Sequence, residues 1–200
     1  MNFNQFSIFY KDNKFRISAN VIYLILILIF LLEFLLNYFL QKSFLIKVKD
    51  YQIYSIFFLL FTLQIISHFR RKTLQGEIVG IIEFKKDNIQ VGNTKYHLNQ
   101  ISKLDFKVDD YYDQYISSGR GDLNPKLSTG TDNFCKIEFK DGSKKVIYFQ
   151  IKFENDFNKL KELLVEYYSQ EKISWLKLLE LLKIDRYEDI QEFKKTIKTS

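Results

Sequence analysis

Hydrophobic residues in this 200-residue chain fall into two long runs near its start and into short alternating runs beyond residue 73. The first run, 19–40, carries one charge, at Glu33, and the second, 51–69, carries no formal charge. As helices, both runs are long enough to cross the hydrocarbon of a bilayer, where helices satisfy their own backbone polar groups. The pattern therefore predicts a transmembrane hairpin joined by a short external connector at 41–50, with the lipid bilayer as its partner.

Basic residues flank the predicted hairpin unequally. Six lie on the side of the chain termini and three in the connector: Lys11, Lys14, Arg16, Arg70, Arg71 and Lys72 against Lys42, Lys47 and Lys49. Because positive residues favour the cytoplasmic side, this bias predicts an inner-membrane protein with both termini in the cytoplasm.

The net charge of +6 lies entirely in residues 1–75, which hold nine Lys or Arg and three acidic residues. Residues 76–200 hold twenty-one of each sign and therefore have no net charge. Nucleic-acid binding requires neutralisation of phosphates, so this balance argues against a nucleic-acid partner.

Beyond residue 73 the pattern changes to alternating runs separated by turn residues, which is typical of antiparallel strands. A strand is predicted at 77–84, a tight hairpin at Gly92–Asn93 and a second hairpin closed at Asp141–Gly142. From Glu154 the apolar residues follow a helical period instead.

This order of elements, with the rhythm of apolar residues over 80–101, resembles a pleckstrin-homology-like domain of the bacterial type that follows a two-helix membrane anchor. The resemblance covers 76–168 and implies a small antiparallel barrel capped by its C-terminal helix, with a binding or scaffolding role. Phosphoinositide binding is not carried over, because Lys85 and Lys86 stand beside Asp87 with no arginine. The expected fold class is an α+β membrane protein.

Two further segments flank these parts of the chain. Residues 1–18 are expected to form a hairpin that joins the sheet, with an aromatic interfacial segment as the alternative. Residues 172–198 are expected to form two helices, the first of which, 172–184, is apolar around much of its circumference. That helix is expected to be buried against the barrel or its capping helix, with a protein partner, a second copy of the chain or the lipid surface as the alternatives.

The residues that usually perform catalysis or bind metals are scarce. His68 and His97 have no ligands at metal-binding spacing, the single Cys135 is expected to be a small apolar residue within a strand, and no phosphate-binding glycine loop is present. The acidic group Asp105, Asp109, Asp110 and Asp113 does not match a calcium loop and is expected to be a solvated strand edge. We therefore expect no catalytic residue, metal or cofactor.

Three polar residues fall within the predicted spans, namely Glu33, Asn37 and Gln64. Polar side chains in hydrocarbon are costly and point to function. They are expected to hold the hairpin or an oligomer together, with snorkelling to the interface or a conduction role as alternatives.

The segment 117–133 contains the only proline and three of the seven glycines. Its Arg-Gly-Asp tripeptide at 120–122 is dismissed as an adhesion signal, because the charge bias places it inside the cell. As a long polar loop it is either a ligand site or a plain connection. The candidate ligand-binding residues are Tyr111, Tyr112, Arg120, Asn124, Lys126, Thr131, Asp132 and Asn133.

Together these features predict a binding, scaffolding or regulatory module at the membrane. The alternative is a ligand-gated effector that senses a nucleotide, oligomerises and breaches the membrane, as some antiviral effectors of similar architecture do. Glu33 and Arg120 would be its natural parts. A membrane enzyme is the least supported class.

Overall fold

The computed structural model describes residues 4–12, 50–116 and 126–199, together with nine separate helical positions between residues 21 and 35. The described residues fall into two compact units. The sheet unit lies within residues 1–13, 73–114 and 128–200, and the helix unit lies within residues 14–72 and 115–127.

The strands are β1 (Gln5–Lys11), β2 (Gly76–Phe84), β3 (Asn88–Val91), β4 (Thr94–His97), β5 (Ile101–Lys107), β6 (Tyr112–Tyr115), β7 (Leu127–Thr129), β8 (Asn133–Phe139) and β9 (Lys144–Gln150). The helices are α1 (Asp50–Phe69), α2 (Lys161–Ser169), α3 (Trp175–Leu181) and α4 (Tyr187–Thr199), with 3₁₀ turns η1 (Leu98–Gln100) and η2 (Phe157–Leu160). The fold is therefore of the α+β class.

A seven-stranded antiparallel sheet dominates the sheet unit, in the order β4-β3-β2-β1-β9-β8-β5. The N-terminal strand β1 lies at its centre, where Phe6 pairs with Ile82 and Ile8 pairs with Phe149. Phe6 and Ile8 alternate with less buried residues, as expected for a strand with one face on the core. The predicted second arm of an N-terminal hairpin lies outside the described residues.

Aromatic rings fill the core between the sheet and the turn η2. The ring of Phe157 lies 5.8 Å from Phe6, 5.7 Å from Phe106 and 6.2 Å from Phe149, measured between ring centroids. Aromatic pairs at these distances add to the free energy gained by burying their area. Phe157 thereby anchors the segment that leads into α2.

The C-terminal helices pack on α2. Trp175 stacks on Phe193 at 5.9 Å and contacts Tyr168 at 5.6 Å. Within the predicted apolar segment 172–184, Leu178, Leu179 and Leu181 are buried, whereas Leu176 is exposed. Packing on the sheet unit accounts for that burial, and a partner bound through 172–184 stays a prediction.

The predicted transmembrane hairpin is wrong. Among the residues that the structure describes, no helix is long and apolar enough to cross a membrane. An uncharged apolar run such as 51–69 fits a helix covered by protein as well as a membrane span, so its length alone could not decide between them. The predicted inner-membrane location, with both termini in the cytoplasm, depended on the two spans and is wrong as well.

The predicted pleckstrin-homology-like barrel of residues 76–168 is also wrong. The structure has instead a large antiparallel sheet with several helices, and β1, which lies outside that segment, separates β2 from β9. Alternation of apolar residues shows which face of a strand is buried but not which strand is its neighbour. The pattern of 76–168 therefore could not predict that β1, from the start of the chain, lies between β2 and β9.

Candidate functional site

The predicted ligand loop is described only at its two ends, and Arg120 and Asn124 lie outside the described residues. Lys126 is buried in the helix unit, where its backbone N–H donates to Ser67 O over 3.2 Å. The other five candidates belong to the sheet unit, and the structure brings them together around Asn133.

Asn133 is fully buried, and its side chain makes three hydrogen bonds. Nδ2 donates to Asp110 O over 2.7 Å and to Gly130 O over 2.9 Å, and Oδ1 accepts from Asp110 N–H over 3.0 Å. Both donors of the amide and its oxygen are thus used within the protein. Asn133 therefore holds the start of β8 against the segment that follows β5. Because both hydrogens of Nδ2 are used, the amide has no donor left for a ligand.

The neighbouring residues also form hydrogen bonds within the protein. Thr131 is buried, with its Oγ1 at 2.9 Å from Thr129 Oγ1, and Asp132 N–H donates to Asp110 Oδ2 over 2.9 Å. Tyr112 N–H donates to Ile151 O over 3.0 Å. These contacts hold the ends of the loop in place, as side chains in ordered connections often do.

Gly130 allows these segments to approach one another. Its φ of +69° lies in the left-handed region, and a Cβ there would collide with Ile151 O and the Tyr112 backbone. Its N–H donates to Ser128 Oγ over 3.0 Å, and Ile151 N–H donates to its carbonyl over 2.9 Å. We refer to the residues 110–112, 128–133 and 151 as the polar knot. In the described residues this knot has a structural role.

A small cavity of ≈ 90 Å³ beside the polar knot has a lining that includes Asp109, Asp110, Glu154 and Lys183. Lys183 Nζ lies 3.5 Å from Glu154, while Asp109 is 3.7 Å from Lys107. Asp105, which the sequence grouped with these acids, instead faces Lys177 at 3.5 Å. In the part of the chain that the structure describes, no group of three or more metal-binding residues is placed to hold an ion.

A larger open cleft of ≈ 560 Å³ lies between the start of β5 and the turn after α2. Two of its hydroxyl groups are already engaged: Ser102 Oγ donates to Glu138 O over 2.9 Å, and Ser169 Oγ donates to Glu166 O over 2.8 Å. Lys172 Nζ donates to Ile101 O over 2.8 Å. The cleft is lined by Ser102, Lys103, Tyr168, Ser169, Glu171, Lys172, Ile173 and Ser174.

Cys135 and Tyr167 are the buried ionisable groups of the core. Burial raises the pKa of the Cys135 thiol and that of the Tyr167 hydroxyl far above their ordinary values. Tyr167 donates its hydroxyl to Lys85 O over 2.8 Å. A thiol that stays protonated is a poor nucleophile, so Cys135 is suited to packing rather than to covalent chemistry.

Helix α1 of the helix unit exposes large apolar side chains. Phe57, Phe58, Phe61 and Phe69 are between 64% and 78% exposed, and Ile65 and Ile66 are more than 40% exposed. At 100° per residue these six side chains cover about half of the helix circumference, and Ser67 on the opposite side is buried. We call the six residues the apolar stripe. Gln64, predicted as a polar residue of a span, lies outside it, and Glu33 and Asn37 are outside the described residues.

The sequence pattern indicates the apolar residues of this stripe, but it predicts that they contact lipid in a membrane span. The signal that marks them, an uncharged run of apolar residues, is the same for a membrane span and for a helix covered by protein. No protein-family model, curated protein or solved structure matches this chain. The resemblance to pleckstrin-homology-like domains therefore finds no support among known proteins.

Proposed function

We propose that this chain is a non-catalytic binding and scaffolding module that associates with a second copy of itself through the apolar stripe of α1. The observation that carries the proposal is the exposure of six large apolar side chains on one side of a helix. Contiguous apolar patches of more than a few hundred Å² are rare on proteins that remain monomeric, and they mark interaction sites.

The size of the stripe fits an interface. Covering an aromatic side chain buries about 150–250 Å², so the four phenylalanines alone expose roughly 500 Å². A stable protein interface buries about 800 Å² on each partner. The stripe with its two isoleucines therefore supplies most of the area that one side of a specific contact requires.

The chemistry of the stripe favours a second copy as its occupant. Between residues 51 and 69 there is no Lys, Arg, Asp or Glu, so this part of α1 offers no such charge to select a partner of opposite charge. Residues 58, 61 and 65 follow the three-and-four spacing of helix–helix seams. A second copy supplies a surface of the same size, spacing and chemistry, and two-fold pairing of identical patches is the commonest form of assembly.

The non-catalytic part of the proposal is supported by the sheet unit. The side chains of Asn133 and Thr131 in the polar knot serve internal hydrogen bonds, burial raises the pKa of the Cys135 thiol, and two hydroxyls of the cleft beside β5 are engaged. The alternative of an effector that breaches membranes is not carried forward, because no described helix is suited to cross one.

The test is the mass of the full chain in solution, measured by light scattering after gel filtration. The stripe variant Phe58→Gln/Phe61→Gln/Ile65→Gln is expected to shift an oligomer to the monomer mass while circular dichroism shows unchanged helix content. The matched control is Phe153→Gln/Leu176→Gln/Tyr187→Gln, which removes three similarly exposed apolar residues from the sheet unit. A monomeric natural chain, or an oligomer that survives the stripe substitutions, overturns the proposal.

A further inference from the structure

The two edges of the seven-stranded sheet differ in how they are covered. At the β5 edge, Leu104 N–H donates to Lys172 O over 2.7 Å, and Lys172 Nζ donates to Ile101 O over 2.8 Å. The turn after α2 thus satisfies backbone groups that an edge strand otherwise leaves unpaired. The chain covers this edge by itself.

In the residues that the structure describes, no backbone bond covers the β4 edge in this way. The tight turn at Gly92–Asn93 makes Val91 and Thr94 the closing pair of the β3–β4 hairpin, and Tyr96 pairs with Ile89 in the same register. Hydrogen-bonded and non-hydrogen-bonded residue pairs alternate along two antiparallel strands. The N–H and C=O of Lys95 therefore point away from β3, and so does the N–H of His97. In the described part of the chain, no backbone hydrogen bond from outside the sheet reaches Lys95 or His97.

The side chains at this edge are basic. Lys95 and His97 are exposed, and the hairpin segment 88–97 contains no Asp or Glu. Lys145 of β9 donates to the hydroxyl of Tyr96 and lies 4.9 Å above the centre of its ring. Glu83 on β2 forms its ion pair with Lys85 at 2.7 Å, and the hydrogen bond from Lys85 and, to a smaller extent, the charge of Lys95 lower the pKa of its carboxyl.

We propose that β4 is a docking edge for an extended acidic segment of a partner protein, which adds to the sheet as a further strand beside Lys95. Three backbone groups, the N–H and C=O of Lys95 and the N–H of His97, would hydrogen-bond the main chain of that segment. Acidic side chains at alternate positions of that segment would lie on the same face of the sheet as Lys95 and meet its ammonium group. Strand addition of this kind takes affinity from main-chain bonds and specificity from side chains at every second position.

Charge decides which kind of strand can dock. Antiparallel pairing of β4 with β4 of a second copy, in the register that sets Lys95 opposite Lys95, would place like charges directly opposite one another, which is destabilising. An acidic segment meets the opposite charge at the same positions. This docking edge is independent of the apolar stripe, which belongs to the helix unit.

The experiment uses the full chain and four labelled peptides, with binding followed by fluorescence anisotropy. The first is the acetylated hexapeptide Thr-Glu-Val-Glu-Thr-Glu, and the second has Lys in place of each Glu. The third and fourth are the acidic peptide N-methylated at alternate residues along one edge or along the other. We expect the acidic peptide to bind, with affinity that falls as salt is added, the basic peptide not to bind, and methylation of one edge to abolish binding.

Two charge reversals locate the contact. Lys95→Glu is expected to weaken binding of the acidic peptide about tenfold, since it places like charges together. The control Lys152→Glu makes the same change at an exposed lysine after β9 and should leave binding unchanged. Failure of the acidic peptide to bind, equal binding of the basic peptide, equal binding of both methylated forms, or an unchanged affinity in Lys95→Glu each overturns the proposal.

Discussion

The side-chain amide of Asn133 and the backbone of Asp110 exchange two hydrogen bonds, one donated by Nδ2 over 2.7 Å and one accepted by Oδ1 over 3.0 Å. These two hydrogen bonds resemble the paired backbone bonds between two strands of an antiparallel sheet, although Asp110 lies beyond the end of β5. A buried amide with all its bonds made fixes one arrangement of the backbone, because any other arrangement would leave polar groups without partners.

The substitution Asn133→Asp tests this relationship. A carboxylate cannot donate, so the Asp110 carbonyl loses the bond from Nδ2, the Gly130 carbonyl keeps only the bond from Ile151 N–H, and a charge is buried as well. We expect a loss of about 3 kcal/mol or more in the free energy of unfolding. The free energy of unfolding of the sheet unit is measured by urea titration. The signal is the fluorescence of Trp175, the chain's single tryptophan.

Asn93→Asp is the matched control, because Asn93 is exposed in the β3–β4 turn. Its effect should stay within about 0.5 kcal/mol, as is usual for surface substitutions. Similar small losses for both variants would show that the polar knot does not stabilise the fold.

Gly130 and Gly142 have similar backbone conformations but different surroundings. Gly130 (φ +69°) has backbone atoms of Ile151 and Tyr112 where a Cβ would lie, whereas Gly142 (φ +84°) has nothing within 4 Å. Gly142→Ala should therefore cost only the strain of a left-handed residue, about 1–2 kcal/mol. Gly130→Ala adds a collision with backbone and should lower the urea midpoint at least twice as much. Equal shifts for the two variants would contradict the crowding at Gly130.

The parts of the fold that sequence predicts well are local. Gly92–Asn93 and Asp141–Gly142 mark tight hairpins because glycine adopts a positive φ there, and the structure confirms both turns. The helical period from Glu154 is also confirmed, although the chain first makes the 3₁₀ turn η2 before α2 begins at Lys161. These features depend on residues a few positions apart.

The parts that sequence predicts poorly depend on distant partners. Phe9 pairs with Tyr148, and nothing in the alternation of β1 indicates which strands will lie beside it. Thr131, Asp132 and Asn133 have the composition of a ligand loop, and in the described residues they hydrogen-bond to Asp110 and Thr129, so ligand binding by them stays a prediction. Polar residues that bind ligands and polar residues that fasten loops look alike until their partners are known.

The buried Cys135 gives the fold a pH dependence at the alkaline end. Burial raises the pKa of its thiol far above the ordinary value of about 8.5, so the folded chain keeps the proton while the unfolded chain releases it. A raised pKa for an acid means that stability is full below the unfolded pKa and falls as pH rises above it. Ionisation of the unfolded thiol should therefore lower the free energy of unfolding by about 2 kcal/mol between pH 7 and pH 10.

The variant Cys135→Ala isolates this contribution. It is less stable than the natural chain at pH 7 because it leaves a cavity, but it has no thiol to ionise. Tyr167, whose pKa burial also raises, is present in both chains, and its contribution cancels in the comparison. Urea titration under reducing conditions at pH 7 and pH 10 should show the natural chain losing about 2 kcal/mol more than the variant. Equal losses in both chains would mean that the Cys135 thiol ionises as readily in the folded core as in the unfolded chain.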